Sequence, residues 1–326
     1  MRKIGLLGGT GFIGKHILSR WIKKGWQIRV LTRSREQHRE ILVLPSVELI
    51  AMDVYDQEQL NKQLSGCDVV INLVGILNES GNDGSGFHKA HVELAQKVLV
   101  AMQANNIKRL LHVSALNADA EAGKSHYLRT KGAAEDLVHQ ADGLNVTSFR
   151  PSLIFGENTP FFNKFGALLS VPSPLFMLPS GHAKFAPVWI NDVIEAMALT
   201  LVNSEHYGKR YNLCGPKVYT LKELVVYLAK LMEVTRYVLP LEDKTSYWVA
   251  NVMEKLVPGK PYSLDNFYSS QVESVCGDNN HLPQLGITPR TMESIMPRYY
   301  SNATTPRELY SAFRMQSDRW SHAIKD

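Results

Sequence analysis

Short apolar runs alternate with amphipathic stretches through the first half of the chain. Lys3–Leu7 reads as a buried strand, followed by a glycine-rich turn and an amphipathic helix over 12–24 that Gly25 ends. Gln27–Thr32 gives a second strand and 47–52 a third, closing on Asp53. A helix over Gln57–Leu64 leads through Gly66 to a nearly continuous apolar strand over 68–74. A helix over 86–105, a strand over 108–114, a helix over 127–140 and a strand over 145–150 complete the series. Strands that are apolar at successive positions bury both faces, so helices must cover both sides of a parallel sheet. Right-handed crossovers then make the α/β, doubly wound parallel sheet the natural solution.

After Arg150-Pro151 the alternation loosens. The stretch 161–177 is apolar and punctuated by proline, a short strand is expected over 188–190, and a helix over 192–202 returns to the main sheet. Thr220 is placed as the N-cap of a helix over 219–232, with Glu223 completing a capping box. Pro258, Pro261, Pro289 and Pro297 favour short helices and loops. The division expected is a nucleotide-binding domain over 1–155 and a smaller lobe over 156–326, with a segment near 186–202 rejoining the first.

Gly8, Gly11 and Gly14 stand at GxxGxxG spacing, with Thr10, Phe12 and Ile13 between them. The chemistry demands this spacing: a tight turn out of the strand, a backbone close to a pyrophosphate, and a helix packed on the sheet. The helix N-terminus then favours the phosphates. This is the Rossmann dinucleotide fingerprint, and it follows a strand and opens a helix. The second strand ends not in an acidic residue but in Thr32-Arg33-Ser34-Arg35. A guanidinium suits a ribose 2′-phosphate, so NADP(H) is favoured and NAD(H) stays open. Asp53 and Val54 fit a place beside the adenine, and Leu73, Val74 and Gly75 fit backbone packing on the adenosine side; ordinary strand-end chemistry is the alternative for both.

Tyr127 and Lys131 are four residues apart on a helix and therefore share a face. An ammonium beside a phenol favours the phenolate, which lets the tyrosine act as a general acid–base while the lysine holds the nicotinamide ribose. These features resemble the short-chain dehydrogenase/reductase superfamily, in its extended and atypical branches. The likeness runs the whole chain and includes Arg150-Pro151-Ser152-Leu153-Ile154-Phe155-Gly156 and Val188-Trp189-Ile190-Asn191-Asp192-Val193. It implies that the backbone at Pro151 and Leu153 touches the nicotinamide. Within the superfamily, His112-Val113-Ser114-Ala115-Leu116-Asn117-Ala118 and Tyr211-Asn212-Leu213-Cys214-Gly215-Pro216 are similar to the nucleotide-binding accessory subunits of respiratory complex I and their bacterial relatives. That likeness implies a respiratory or ubiquinone-pathway partner, and relatives in the group are tied to ubiquinone biosynthesis. The serine or threonine that usually binds the reacting carbonyl falls on Ala115, with Ser114 one residue earlier. Neighbouring strand residues face opposite sides, so Ser114 replaces it only if the strand end is bulged. Two readings follow: an oxidoreductase working through Tyr127, Lys131 and Ser114, or a nucleotide-bearing assembly factor.

Composition adds limits. With 44% hydrophobic and 21% charged residues, the 326-residue chain has the balance of a soluble globular protein. A net charge of +5 gives no case for nucleic acid. Cys67, Cys214 and Cys276 form no CxxC pair, which is read as a reducing, cytoplasmic setting without a disulfide framework. No segment precedes the first strand, and no apolar run approaches a membrane span. The apolar 161–177 stretch is expected to be core or lid, with an apolar-substrate pocket or a peripheral membrane contact as the alternative. His88, His91 and Glu93 have no third partner, so no metal is expected and a solvated helix end is the reading.

Overall fold

A computed structural model describes residues 2–257 and 259–300 of the chain. The chain forms two compact units. The first takes the residues up to Pro151 together with Val193–Leu213 and Gln284–Ile287. Its centre is a seven-stranded sheet: β1 (Lys3–Leu7), β2 (Gln27–Thr32), β3 (Val47–Ala51), β4 (Val69–Asn72), β5 (Arg109–Val113), β6 (Asn145–Pro151) and β7 (Arg210–Leu213). Their order is β7-β6-β5-β4-β1-β2-β3, and every pairing is parallel. The order reverses at β1, with β4 on one side and β2 on the other. That crevice at the strands' carboxyl ends is where doubly wound sheets bind ligands. β7 was not among the strands read from the pattern, because it is four residues long and carries Asn212 inside its apolar run.

The apolar runs are buried as their composition requires: Ile4, Leu6, Leu7, Val70, Ile71, Leu110 and Leu111 are fully covered. One face is closed by the helix at Leu94–Ala104 and the helices at Gln57–Leu64 and His126–Gln140, which share a core with Val70, Leu110 and Val146. Asp56 caps the 57–64 helix by accepting the Gln59 N–H, and Ser125 caps the 126–140 helix by accepting that of Leu128.

The second unit comprises, among the described residues, Ser152–Asp192, Cys214–Pro283 and 288–300. Three two-stranded pairs support it: Ile154–Phe155 with Val188–Trp189, Lys184–Phe185 with Tyr219–Thr220, and Leu175–Leu178 with Tyr237–Pro240. Helices at Pro160–Leu169 and Leu221–Leu231 pack Phe162, Leu169, Leu224 and Leu228 into one core. The capping box at Thr220 and Glu223 is formed, and its helix starts at Leu221. The 161–177 stretch divides: Phe162 and Leu169 are core, while Val171, Leu175 and Met177 are exposed.

The cysteines depart from the sequence reading. Cys214 and Cys276 form a disulfide across 62 residues, and only Cys67 is free. Spacing along the chain could not reveal a pair made by tertiary contact, and the argument for a reducing compartment loses its premise. The same junction is tied a second time by Asn280, whose amide accepts the Cys214 N–H and donates to the Cys214 carbonyl. Among the described residues, no helix is long and apolar enough to cross a membrane, and no group of His, Cys, Asp and Glu is placed to hold a metal ion.

Candidate functional site

The glycine turn leaves β1 with Gly8 at φ +74°, a backbone conformation that favours glycine, and a Cβ there would lie 3.1 Å from the Leu73–Val74 peptide. The Gly11 N–H returns to the Gly8 carbonyl at 3.0 Å, closing the turn. Gly11 is the N-cap of the Phe12–Trp21 helix, with no side-chain cap and no acidic residue in the first turn. The first N–H groups of that helix are therefore left to a ligand. Gly14 packs so closely that a Cβ would lie 2.4 Å from the Gly9 Cα and carbonyl oxygen. Thr10, Phe12 and Ile13, within and just after this turn, are partly exposed. These features fit a dinucleotide pyrophosphate: an uncapped helix end reached by a backbone that no side chain obstructs.

Beyond β2, Thr32 Oγ1 accepts the Ser34 N–H at 3.3 Å and shapes the bend that exposes Arg33 and Arg35. Arg39 is paired with Glu36, and Lys15 with Glu40, whereas among the described residues neither Arg33 nor Arg35 has a carboxylate partner. The charge of Arg33 acts on the Tyr55 phenol, and Lys89 Nζ stands 5.0 Å from the centre of the same ring. Asp53 accepts the Tyr55 N–H at 2.9 Å, while the Val54 side chain is buried in the core and leaves only its backbone to a ligand. A cationic rim thus stands at the ends of β2 and β3.

At the end of β4, Leu73 donates its N–H to the Leu7 carbonyl and Val74 donates to Asn72 Oδ1. The Lys131 ammonium donates to the Val74 carbonyl at 3.2 Å and to the Val113 carbonyl at 3.0 Å. Burial pushes the Lys131 pKa down to about 8, and Glu135 one turn along opposes that shift. A Cβ on Gly75 would lie 2.8 Å from Lys131 Nζ, so the backbone at Gly75 runs close beside the ammonium. Val74 and Gly75 therefore stand against the lysine of the Tyr–Lys pair, and Leu73 against the turn at Gly8. Tyr127 lies in the first turn of its helix, half-buried, with its ring edge-on to Phe87 and His91.

Ser114 and Ala115 are both buried. The Ser114 hydroxyl donates to Glu135 Oε2 at 2.8 Å, and the same fully buried carboxylate takes Arg150 Nε at 2.8 Å and Arg210 Nε at 3.3 Å. Ser114, just beyond the end of β5, is thereby engaged in an ion-pair network. Pro151 ends β6 in the first unit, half-buried. Leu153 packs on the core of the second unit and its carbonyl accepts the Val188 N–H. His91, read from sequence as part of a solvated helix end, is buried, although His88 is exposed beside Glu93.

The family model described as NAD dependent epimerase/dehydratase matches residues 4–214. The chain is 29% identical, over 84% of its length and 71% of the relative's, to NADH dehydrogenase [ubiquinone] 1 alpha subcomplex subunit 9, mitochondrial, of Arabidopsis thaliana. It is 31% identical, over 48% of its length and 51% of the relative's, to a 4-hydroxy-2-methyl-3-oxo-4-farnesyl-3,4-dihydroquinoline-1-oxide ketoreductase of Stigmatella aurantiaca. Among solved structures, the UDP-glucuronic acid 4-epimerase of Bacillus cereus, in complex with UDP-glucuronic acid and NAD, has a TM-score of 0.67 at 16% identity. That likeness covers 99% of this chain and 100% of that one.

Proposed function

This chain belongs to the NAD dependent epimerase/dehydratase family, and from that membership we propose that it is an NADP(H)-dependent oxidoreductase acting on an apolar or quinone-related carbonyl. The observation that carries the reading is the buried Lys131 ammonium, fixed between two strand-end carbonyls one helical turn from Tyr127. A cation held at that depth has a steep cost unless it does something there. A nicotinamide nucleotide, if held at the glycine turn, would supply or accept the hydride. Tyr127 gives its phenolic proton to the carbonyl oxygen as the alcohol forms, or takes it back in the reverse direction. Lys131, cationic at neutral pH, stabilises the phenolate left behind and reaches the nicotinamide ribose. Arg33 and Arg35 favour the 2′-phosphate of NADP(H) over NAD(H), because they are exposed, cationic and, among the described residues, not paired with carboxylates. Without a hydroxyl at Ala115, the tyrosine is the polar group on the reacting oxygen.

Two of the relatives support this direction: the Stigmatella ketoreductase and a ceramide reductase of Caulobacter vibrioides, each by name acting on a molecule with long apolar chains. The exposed Val171, Leu175 and Met177 fit a protein that works at a membrane surface to reach such a substrate. Tyr127→Phe is expected to lower NADPH-dependent reduction of prenylated quinone and ketone probes by about 10²–10⁴-fold, with NADPH affinity within about twofold of wild type. Activity that survives Tyr127→Phe overturns the assignment.

A second reading is a nucleotide-bearing assembly or stability factor of a respiratory complex. It is favoured by the alanine at 115, by the commitment of Ser114 to Glu135, and by relatives that are complex I subunits. Pull-down from native membranes tests it: recovery of respiratory-complex proteins supports the factor, and their absence removes it.

A further inference from the structure

His91 lies in a five-residue π-helical turn, Lys89–Glu93, that leads directly into the Leu94–Ala104 helix. A π turn takes one extra residue, so the side chains beyond it rotate against those before it; such turns recur at functional sites. Here the consequence is that Ala90 and His91, adjacent in sequence, are both buried, while His88 points to water. The His91 ring lies between two pieces of the site. Its Nε2 accepts the backbone N–H of Ile76 at 3.2 Å, and its Nδ1 stands 2.8 Å from Thr130 Oγ1.

The tautomer follows from the partners. A backbone N–H can only donate, so Nε2 bears the lone pair and the ring proton sits on Nδ1, which donates to Thr130. Thr130 Oγ1 in turn donates to the His126 carbonyl at 2.8 Å, in the turn that holds Tyr127. The Ile76 bond requires the neutral ring, since an imidazolium has no acceptor for that N–H, so the two bonds coexist only on the neutral imidazole. Burial, with the neighbouring Lys131 ammonium adding to it, lowers the His91 pKa to about 2. The segment after β4 is thereby fastened twice from the same side: Val74 by Lys131 and Ile76 by His91, with Gly75 lying over both.

We propose that His91 is a positioning residue: its neutral imidazole locks the Tyr127–Lys131 helix to the Val74–Ile76 segment and so sets where Lys131 meets the nucleotide. Its bearing on catalysis rests on the oxidoreductase reading above, but the lock is a property of the nucleotide-free protein. His91→Phe keeps the ring volume and the contacts to Phe87 and Tyr127 while deleting both bonds; Thr130→Val deletes one of them. His91→Gln keeps one acceptor and one donor.

The experiment has two arms. NADPH affinity is read from nicotinamide fluorescence, and the ionisation of Lys131 in nucleotide-free protein is read by NMR of labelled lysine. His91→Phe is expected to weaken NADPH binding about tenfold and to move Lys131 ionisation upward by about one pH unit, with Thr130→Val showing a smaller shift in the same direction and His91→Gln recovering most of both. If His91→Phe and Thr130→Val lower thermal stability yet leave Lys131 ionisation and NADPH affinity unchanged, His91 is only a filled core position and the proposal fails. A wild-type protein that binds no NADPH refutes the functional reading alone, because the lysine arm still decides the lock.

Discussion

Gly14→Ala is expected to abolish measurable dinucleotide binding and to destabilise the first unit. The added methyl would sit 2.4 Å from the Gly9 Cα and carbonyl oxygen and 2.5 Å from its carbonyl carbon, all of them backbone atoms of the turn. No rotamer can relieve such a contact. Nor can the turn retreat freely, because Gly9 itself is packed against Leu6 of β1 and Val30 of β2. Helix and turn must separate by a large fraction of an ångström, which costs about 2–4 kcal/mol for an overpacked site. The same movement displaces the helix N-terminus from the phosphate position, so affinity should fall by about 100-fold or more. Urea unfolding and NADPH fluorescence check the two effects separately. Wild-type affinity in a destabilised Gly14→Ala protein would show that the pyrophosphate binds elsewhere.

Acid is expected to unfold the protein in a window set by histidines, before carboxylates begin to titrate. Burial, with Lys131 adding to it, holds His91 at about 2 and His112 at about 3, and His139 is lowered to about 4 by burial and two arginines. An unfolded histidine takes up its proton near 6.5, so below that pH the unfolded chain binds protons that the folded chain refuses. Stability is therefore complete above about pH 6.5 and is lost progressively as pH falls toward the folded values. For the buried pair His91 and His112 alone, the loss by pH 5 is about 3–4 kcal/mol. Lys131 is cationic in both states throughout this range and adds no slope, whereas Glu40 and Glu48, held below the usual carboxylate range, contribute only further down. Urea midpoints at pH 7.5, 6 and 5 measure the effect. A midpoint independent of pH across that span would mean that the imidazoles are hydrated or paired in solution.

What could be read from the chain divides by the range of the interaction. The glycine turn and the Tyr127–Lys131 pair are local patterns, and their chemistry is written in spacings of three and four residues. The sheet was legible for the same reason, because continuous apolar runs leave few alternatives to a strand covered on both faces. Ser114 was legible only as a hydroxyl next to Ala115; it lies beyond the end of β5, and its bond to Glu135, 21 residues on, is set by the fold. His91 was not legible. Its role depends on a π turn and on partners 15 and 39 residues away, and helical periodicity gives no warning of either. The Cys214–Cys276 pair fails the same way, and β7 is defined only by its register beside β6.

The central claim is that Arg33 makes this an NADP(H) site. Calorimetric titration of nucleotide-free protein with NADPH and NADH, in wild type and Arg33→Ala, tests it most directly. Wild type is expected to bind NADPH at least about tenfold tighter than NADH, and Arg33→Ala to remove the preference by weakening NADPH alone. Equal affinities in wild type, or a preference untouched by Arg33→Ala, would contradict it.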